Sequence, residues 1–385
     1  MRDVRRVAIL GSTGSIGVQT LDVISKMGDT FEVFAITAGK NLSLLAEQVE
    51  KFQPSLVCIV DEGDADVLRN MFPAIEVLCG DEGLCAVAAD ERVDVVVNAV
   101  VGSAGLMPSW AAVSSGKRLC TANKESLVMA GELLMSKARE TDAQVFPIDS
   151  EHSALWQAML SGKRSEIKRL ILTASGGPFW NADVNFDEVS PEQALTHPNW
   201  SMGTKITIDS ATMMNKALEI IEARWLFDIP PERIDVLIHP QSIVHSIVEF
   251  IDGSQIAQMS IPDMRLPIQY ALTYPSRMPS AVKPLELHEI GKLEFYKPDL
   301  EKYPSISLAY EALRRGGTAP IVLNAANEVA VEMFLEGRIK FSQIYELVSR
   351  ALNEVESREV KSVEEIVDYD IFVRGCLISM IDGMF

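Results

Sequence analysis

Asp149 and Glu151 stand two residues apart in Phe146-Pro147-Ile148-Asp149-Ser150-Glu151-His152. If this segment is extended, both carboxylates lie on one face, because side chains alternate along a strand. Two oxygen ligands at that spacing suit a hard divalent cation such as Mg²⁺ or Mn²⁺. They equally suit a solvated turn after a strand. Ser150 and His152 add polar groups beside them.

A second polar set follows in Ile206-Thr207-Ile208-Asp209-Ser210-Ala211-Thr212, which reads as a strand with Ser210 at its end. Met213 to Trp225 then has helical periodicity. Asn215, Glu219 and Glu222 fall on one face at i, i+4 and i+7, and Lys216 lies three residues before Glu219. This set can supply a further metal carboxylate and phosphate donors. Taken alone, Lys216 and Glu219 also fit a solvent-exposed ion pair. Upstream, Ser175-Gly176-Gly177 follows the apolar run 170–173, and a Ser-Gly-Gly turn there exposes hydroxyl and N–H groups that suit phosphate. Residues 197–205, His-Pro-Asn-Trp-Ser-Met-Gly-Thr-Lys, have the composition of a loop that closes over a site. A surface loop with Trp200 tucked into the core fits too.

These residues need elements to position them. Val7-Ala8-Ile9-Leu10 reads as a strand buried on both faces. Gly11-Ser-Thr-Gly-Ser-Ile-Gly17 follows at once, and Val18 to Met27 reads as a helix. Strand, glycine-rich turn and helix together predict a dinucleotide-binding unit, whose glycines let backbone N–H groups approach a pyrophosphate. The second strand, Phe31 to Thr37, leads to Ala38-Gly39-Lys40-Asn41 without an acid. Lys40 would attract a 2′-phosphate, which predicts NADPH over NADH. Strands near 56–60, 75–78, 94–100, 118–121 and 144–148 continue the alternation. Asn98 and Asn123-Lys124-Glu125-Ser126 sit at the C-terminal ends of two of them, where ligands of open α/β sheets collect.

At 385 residues the chain predicts two or three domains. A net charge of −19 makes nucleic acid an improbable partner. The five cysteines show no metal-ligand spacing and read as reduced thiols in a cytosol. The N-terminus runs straight into a strand, so no signal peptide is expected, and no run is apolar for long enough to predict a membrane span. Strands near 236–239, 243–250 and 255–260 predict a mixed sheet, and strand 243–250 has at least one apolar face. His239 and His245 fit structural histidines better than site residues. Five prolines in 275–304 suggest a linker. Helical patterns at 305–315, 319–336, 341–355 and 362–382 predict a bundle with a supporting role.

The residues resemble the 1-deoxy-D-xylulose 5-phosphate reductoisomerase family. The resemblance rests on the glycine turn 11–17, Ala38-Gly-Lys-Asn41, Ala122-Asn-Lys-Glu-Ser-Leu-Val128, Asp149-Ser-Glu-His152, Ser175-Gly-Gly-Pro-Phe179, His197-Pro-Asn-Trp-Ser-Met-Gly203, Asp209-Ser-Ala-Thr-Met-Met-Asn-Lys216, Ile220-Ile-Glu-Ala-Arg-Trp225, His239-Pro-Gln-Ser242 and Asn324-Ala-Ala-Asn-Glu328. It spans nearly the whole chain. It implies an NADPH-dependent enzyme that uses a divalent cation (Mg²⁺, Mn²⁺ or Co²⁺) to convert 1-deoxy-D-xylulose 5-phosphate into 2-C-methyl-D-erythritol 4-phosphate.

By resemblance, Asp149, Glu151 and Glu219 are the metal ligands and, with Lys124, the catalytic set. Ser175, Ser210, Asn215 and Lys216 hold the phosphate, with His197 nearby. Ser150 and Lys124 face the carbon skeleton, and Trp200 and Met202 lie in the closing loop. Thr13, Gly14, Ser15, Ile16, Gly39, Lys40, Asn41, Asn123, Glu125 and Gly203 hold NADPH. The implied architecture is an α/β N-terminal Rossmann-like domain (1–149), an α+β catalytic domain with a mixed sheet (150–274), a linker (275–304) and a C-terminal all-α helical bundle (305–385). A cytoplasmic homodimer is the family expectation. The rivals are another NADP-dependent dehydrogenase, a metal-dependent phosphosugar lyase, and a non-catalytic nucleotide sensor.

Overall fold

The computed structural model describes residues 4–197, 200 and 202–382. The N-terminal half alternates strand and helix: β1 (Arg5–Leu10), α1 (Ser15–Ser25), β2 (Phe31–Ala38), α2 (Leu42–Phe52), β3 (Leu56–Ile59), α3 (Glu62–Met71), β4 (Glu76–Cys79), α4 (Gly80–Ala89), β5 (Val95–Asn98), α5 (Leu106–Ser114), β6 (Arg118–Thr121), α6 (Lys124–Thr141) and β7 (Gln144–Pro147). Then come α7 (Ser150–Met159), β8 (Ile167–Ala174), α8 (Pro191–Ala194), α9 (Thr204–Ala211), α10 (Met214–Phe227), β9 (Ile234–Ile238), β10 (Val244–Phe250), β11 (Gln255–Met259) and α11 (Arg265–Thr273). The chain finishes with α12 (Leu287–Ile290), α13 (Ser305–Arg315), α14 (Ala319–Leu335), α15 (Phe341–Glu354) and α16 (Val363–Asp382).

Two compact units form. The first takes the chain up to Ser126, Glu132–Ser153 and Asp263–Lys283. Its seven strands run in the order β4-β3-β2-β1-β5-β6-β7, and every pair is parallel. Parallel strands covered on both faces should be continuously apolar, and Val7 to Leu10 are fully buried. Val7, Ile9 and Leu10 each contribute roughly 1.5–3 kcal/mol by leaving water. The strand order reverses at β1, so the loops after β1 and β5 part there and leave a crevice. Gly11, at φ +80, passes this point so closely that a Cβ would lie 2.9 Å from the Ala99 carbonyl oxygen. A Cβ at Gly17 would lie 2.3 Å from the Gly11 oxygen, so only glycine lets α1 start this close to β1.

Helix α11 is distant in sequence yet packs on α1, β6 and β7. Arg5 Nη1 donates to Leu272 O at 3.1 Å, and Arg118 Nη1 donates to Tyr274 O at 3.1 Å. The stretch expected as a linker is therefore divided. Residues 275–283 group with the first unit, and the rest belong to the second, where Tyr296 and Ile238 exchange backbone hydrogen bonds of 2.8 and 2.9 Å.

The second unit comprises Leu127–Gly131, Ala154–Pro262 and the chain from Pro284 onward. Its sheet has the order β11-β10-β8-β9 and is mixed: β10 is antiparallel to β8 and β11, whereas β8 and β9 are parallel. Strand β10 was expected to have at least one apolar face, and it is buried along its whole length. Two of the buried polar residues it carries, Glu249 and His245, are paired. Glu249 accepts from Lys168 and Arg169, and His245 Nε2 lies 2.9 Å from Ser260 Oγ. His239 is likewise satisfied, with Nδ1 2.8 Å from Glu294 O. Helix α14 is buried on nearly every side, as befits the centre of a bundle. Around it, α15 buries one face through Ile344, Tyr345, Leu347, Val348 and Ala351.

Two local readings change. Residues 206–210 are helical, not extended. The β-branched Ile206-Thr207-Ile208 mimics a strand, but Gly203 opens a helix there, and Thr207 N–H and Oγ1 both donate to its carbonyl. Asp149 and Glu151 are not on a strand either. β7 ends at Pro147 and α7 starts at Ser150, so Asp149 sits on the strand-to-helix turn and Glu151 in the first turn of α7. Of the expected closing loop, Pro198, Asn199 and Ser201 lie outside the described residues. Among the described residues no helix is long and apolar enough to cross a membrane.

Candidate active site

In the first unit, chemistry gathers at the C-terminal ends of the strands. The turn after β1 is clamped to β2: Gly11 N–H donates to Thr37 Oγ1 at 3.0 Å and Ser12 N–H to Thr37 O at 2.8 Å. Gln48 closes the clamp from α2, its Nε2 donating to Ser12 O at 2.9 Å while Ser12 Oγ donates to its Oε1 at 2.6 Å. Thr13, Gly14, Ser15 and Ile16 then bring the chain into α1. Gly14 is the N-cap, no side chain caps it, and both Gly14 and Ser15 are exposed. The first N–H groups of an eleven-residue helix are thus presented outward, as pyrophosphate binding requires. The neighbouring strand β2 ends at Ala38, and Gly39, Lys40 and Asn41 follow it, all exposed. Asn41 caps α2 by accepting from Leu44 N–H at 3.2 Å.

Gln48 was missed by sequence reading. It occupies the inward position between Leu45 and Val49 on an otherwise apolar helix face. A lone amide there is the signal that could have found it.

After β6, Asn123 caps α6, accepting from Ser126 N–H at 3.0 Å. Its Nδ2 donates to Val100 O and Gly102 O at 2.9 and 2.8 Å. Asn123 is buried, and its amide is spent on tying the β5 and β6 loops together. Its side chain therefore builds the loops rather than offering donors to a ligand. Glu125 is also buried, with an oxygen 3.2 Å from Asn123 Nδ2.

Lys124 was open to reading as a surface residue, but its side chain is 7% exposed and its Nζ lies 2.5 Å from Asp149 Oδ2. His152, fully buried, places Nδ1 3.8 Å from Asp149 Oδ1. Burial pushes the Asp149 carboxyl toward protonation. The Lys124 ammonium and His152 outweigh that and hold it well below the usual carboxylate range. Asp149 is consequently an anion in a nearly dry setting, the state a cation ligand needs. Glu151 N–H lies 3.4 Å from Asp149 Oδ1, and the Glu151 carboxylate accepts from Ser150 Oγ.

In the second unit, Ser175 follows β8. Gly176 and Gly177 have φ of +87 and +68, so the turn requires glycine. It passes directly against α9, since a Cβ on Gly177 would meet Ser210 O at 2.7 Å. Ser175 Oγ lies 3.0 Å from His197 Nε2, and His197 Nδ1 accepts from Trp200 N–H at 3.0 Å. The second bond fixes the tautomer: Nε2 carries the hydrogen and donates to Ser175. Burial pulls the His197 pKa down, consistent with a neutral ring. Gly203 is the N-cap of α9, without a side-chain cap.

Helix α10 begins at once beyond Met213, which takes a left-handed φ of +59. Asn215 Nδ2 and Lys216 Nζ each donate to one oxygen of Glu219. Lys216 and Glu219 are 3% and 1% exposed, and Glu222 is 1% exposed. The solvent-exposed ion pair is thus excluded. Burying each ion costs several kcal/mol that the pairing returns only in part. Such a pair is a poor stabilising device and a good binding device: an ammonium for an anion and a carboxylate for a cation.

Three family models match the chain. The 1-deoxy-D-xylulose 5-phosphate reductoisomerase model covers residues 7–131, its C-terminal domain model covers 145–227, and the DXP reductoisomerase C-terminal domain model covers 259–376. A reductoisomerase of Geotalea uraniireducens (strain Rf4) is 51% identical over 95% of this chain and 96% of its own. One from Geobacter metallireducens is 50% identical over 96% and 97%. Among solved structures, the Zymomonas mobilis reductoisomerase in complex with NADPH superposes with a TM-score of 0.93 at 39% identity, over 99% of this chain and 100% of that one. A DOX-P reductoisomerase in complex with NADPH, fosmidomycin and magnesium gives 0.93 at 42% identity, over 98% of each.

Proposed function

The chain belongs to the 1-deoxy-D-xylulose 5-phosphate reductoisomerase family, and we propose that the residue sets described above carry that family's reaction here. The protein is an oxidoreductase of isoprenoid biosynthesis. It rearranges and reduces 1-deoxy-D-xylulose 5-phosphate to 2-C-methyl-D-erythritol 4-phosphate, consuming NADPH and depending on a divalent cation. The observation that supports this assignment of residues best is the buried Lys216–Glu219 pair with half-buried Asn215 beside it, which offers anion and cation chemistry within one helical turn.

The donor set fits magnesium, being made of carboxylate oxygens of which Asp149 is held ionised. Asp149, Glu151 and Glu219 are the proposed ligands. When bound, the cation supplies Lewis acidity that steadies negative charge developing on the substrate while its skeleton rearranges. The glycine turn fits NADPH, because the first N–H groups of α1 face outward without a side-chain cap. NADPH supplies the hydride.

The chain's own residues do the rest. Lys216, Asn215, Ser210 and Ser175 bind the phosphate, with the ammonium neutralising part of its charge. His197 orients Ser175 through the 3.0 Å contact. Lys124 and Ser150 face the carbon skeleton. Thr13, Gly14, Ser15 and Ile16 receive the pyrophosphate, and Lys40 with Gly39 and Asn41 receives the 2′-phosphate. Trp200 and Met202 shield the reacting carbons from water. Phosphate binding far from those carbons contributes free energy that favours the shielded state. A homodimer in the cytoplasm is part of the proposal, supported by family membership and by five free cysteines.

NADPH oxidation by the purified protein with 1-deoxy-D-xylulose 5-phosphate, measured before and after chelation and again with Mg²⁺ restored, tests the reading. Oxidation that needs both substrate and cation supports it. Oxidation that survives chelation, or none at all, overturns it.

A further inference from the structure

The C-terminal bundle reaches the phosphate-binding turn with three separate donors. From α14, Asn327 Nδ2 donates to Asp209 Oδ1 at 2.8 Å. From α13, Ser305 Oγ donates to Thr212 O at 2.8 Å, and from α15, Tyr345 OH donates to the same carbonyl at 3.2 Å. Asp209 is further held by Lys205 Nζ at 2.9 Å. Asp209, Thr212, Asn327 and Ser305 are at most 1% exposed. A carbonyl at the end of a helix has no intrahelical partner, and Thr212 finds two donors on two other helices instead.

The turn so fastened sets a relationship that α9 and α10 do not set by themselves. Ser210 lies between the two anchored residues, on the last turn of α9. Asn215 and Lys216 lie on the first turn of α10. Between them Met213 sits at φ +59, an unfavourable conformation for a residue with a side chain, which persists only where its surroundings hold it. Releasing Asp209 or Thr212 therefore frees the angle between the two helices, and with it the spacing of Ser210 from Lys216.

We propose that Asn327, Ser305 and Tyr345 are positioning residues: through Asp209 and Thr212 they set the Ser210–Lys216 geometry that recognises the substrate's phosphate. The inference rests on the reading of Ser210, Asn215 and Lys216 as the phosphate site, and it gives the bundle a role in substrate affinity. All three act through Asp209 and Thr212 rather than through a contact of their own with substrate in this proposal.

The test uses the full-length protein with four readouts: KM for 1-deoxy-D-xylulose 5-phosphate, kcat, competitive inhibition by inorganic phosphate, and NADPH affinity by fluorescence. Asn327→Leu keeps the volume and removes the donor. KM and the phosphate inhibition constant should each rise about tenfold, the scale of one lost hydrogen bond to a charged group, with kcat and NADPH affinity unchanged. Ser305→Ala should raise KM, and Ser305→Thr, which keeps the hydroxyl, should restore it. If Asn327→Leu does not fold, Tyr345→Phe, which deletes a single oxygen, decides by the same criteria. An unchanged KM in folded variants overturns the proposal, as does a parallel loss of kcat, KM and NADPH affinity, which would mark general loosening. Lys216→Ala separates the two levels. If it leaves KM unchanged the phosphate site is wrong; if it raises KM while Asn327→Leu and Tyr345→Phe do not, only the positioning role fails.

Discussion

Lys124 and Asp149 form an ion pair of 2.5 Å in which neither side chain is more than 10% exposed. A carboxylate proposed as a metal ligand thus already carries a cationic partner. Removing that partner should have opposite effects on binding and on turnover. Lys124→Met should tighten Mn²⁺ binding in the absence of substrate by about tenfold, because one repulsive charge is lost in a poorly solvated setting. Turnover should fall by about a hundredfold or more if Lys124 orients the substrate. Paramagnetic titration of Mn²⁺ and steady-state rates check the pair. Weaker Mn²⁺ binding would contradict the proposed ligand role of Asp149.

Glu219→Gln replaces an anion by an amide of the same shape beside Lys216 and Asn215. Metal-dependent turnover should drop by at least about a hundredfold, while NADPH affinity stays within error. Near-normal activity would show that Glu219 holds no metal.

Lys40 lies just past the end of β2, next to Gly39 and the α2 cap Asn41, where no acid stands. Lys40→Ala should raise KM for NADPH by about tenfold and leave KM for NADH unchanged, since only NADPH carries the 2′-phosphate. Equal losses with both nucleotides would place Lys40 elsewhere.

Gly177 has φ +68 and stands against Ser210 O. Gly177→Ala should cost about 1–3 kcal/mol of stability, from the strained backbone and the contact together. It should also raise KM for substrate by pushing on the Ser210 carbonyl. Calorimetry and initial rates distinguish it from a silent loop change, which would alter neither.

Burial pulls the His245 pKa down to about 4 despite its bond to Ser260. The unfolded chain, with an ordinary histidine, binds a proton at higher pH than the native one. Stability from this group is therefore complete above about pH 6.5, declines as pH falls toward 4, and levels off below; the total is on the order of 3 kcal/mol. Urea unfolding at pH 7 and pH 4.5 should show this loss, and His245→Gln should show less of it. An identical pH dependence in the variant would assign the effect to other groups.

The nucleotide-binding unit was legible because parallel strands leave continuous apolar runs, and because Gly11 and Gly17 are demanded by contacts of β1 with its immediate surroundings. The four bundle helices were legible from their punctuation by Gly316, Gly317 and Gly337. What escaped was decided elsewhere in the chain. Residues 206–210 carry the residue types of a strand but lie in a helix whose end is fixed by α13, α14 and α15. The bundle partner of Asp209, Asn327, lies 118 residues away, and no local spacing points to it. The burial of Lys216 and Glu219 was similarly invisible, because a charged i, i+3 pair looks the same on a wet surface and in a core.

Helix α11 has a consequence for how the protein is made. The nucleotide-binding sheet is finished at Pro147, yet the helix that covers β6 and β7 is not synthesised until more than a hundred residues later. Until residue 274 leaves the ribosome, Arg118 lacks its Tyr274 carbonyl and that flank of the sheet is bare. The first unit cannot be completed before the Ala154–Pro262 segment of the second has emerged. A gene cut after β7 yields an unfinished sheet with a sticky side rather than a portable nucleotide-binding module.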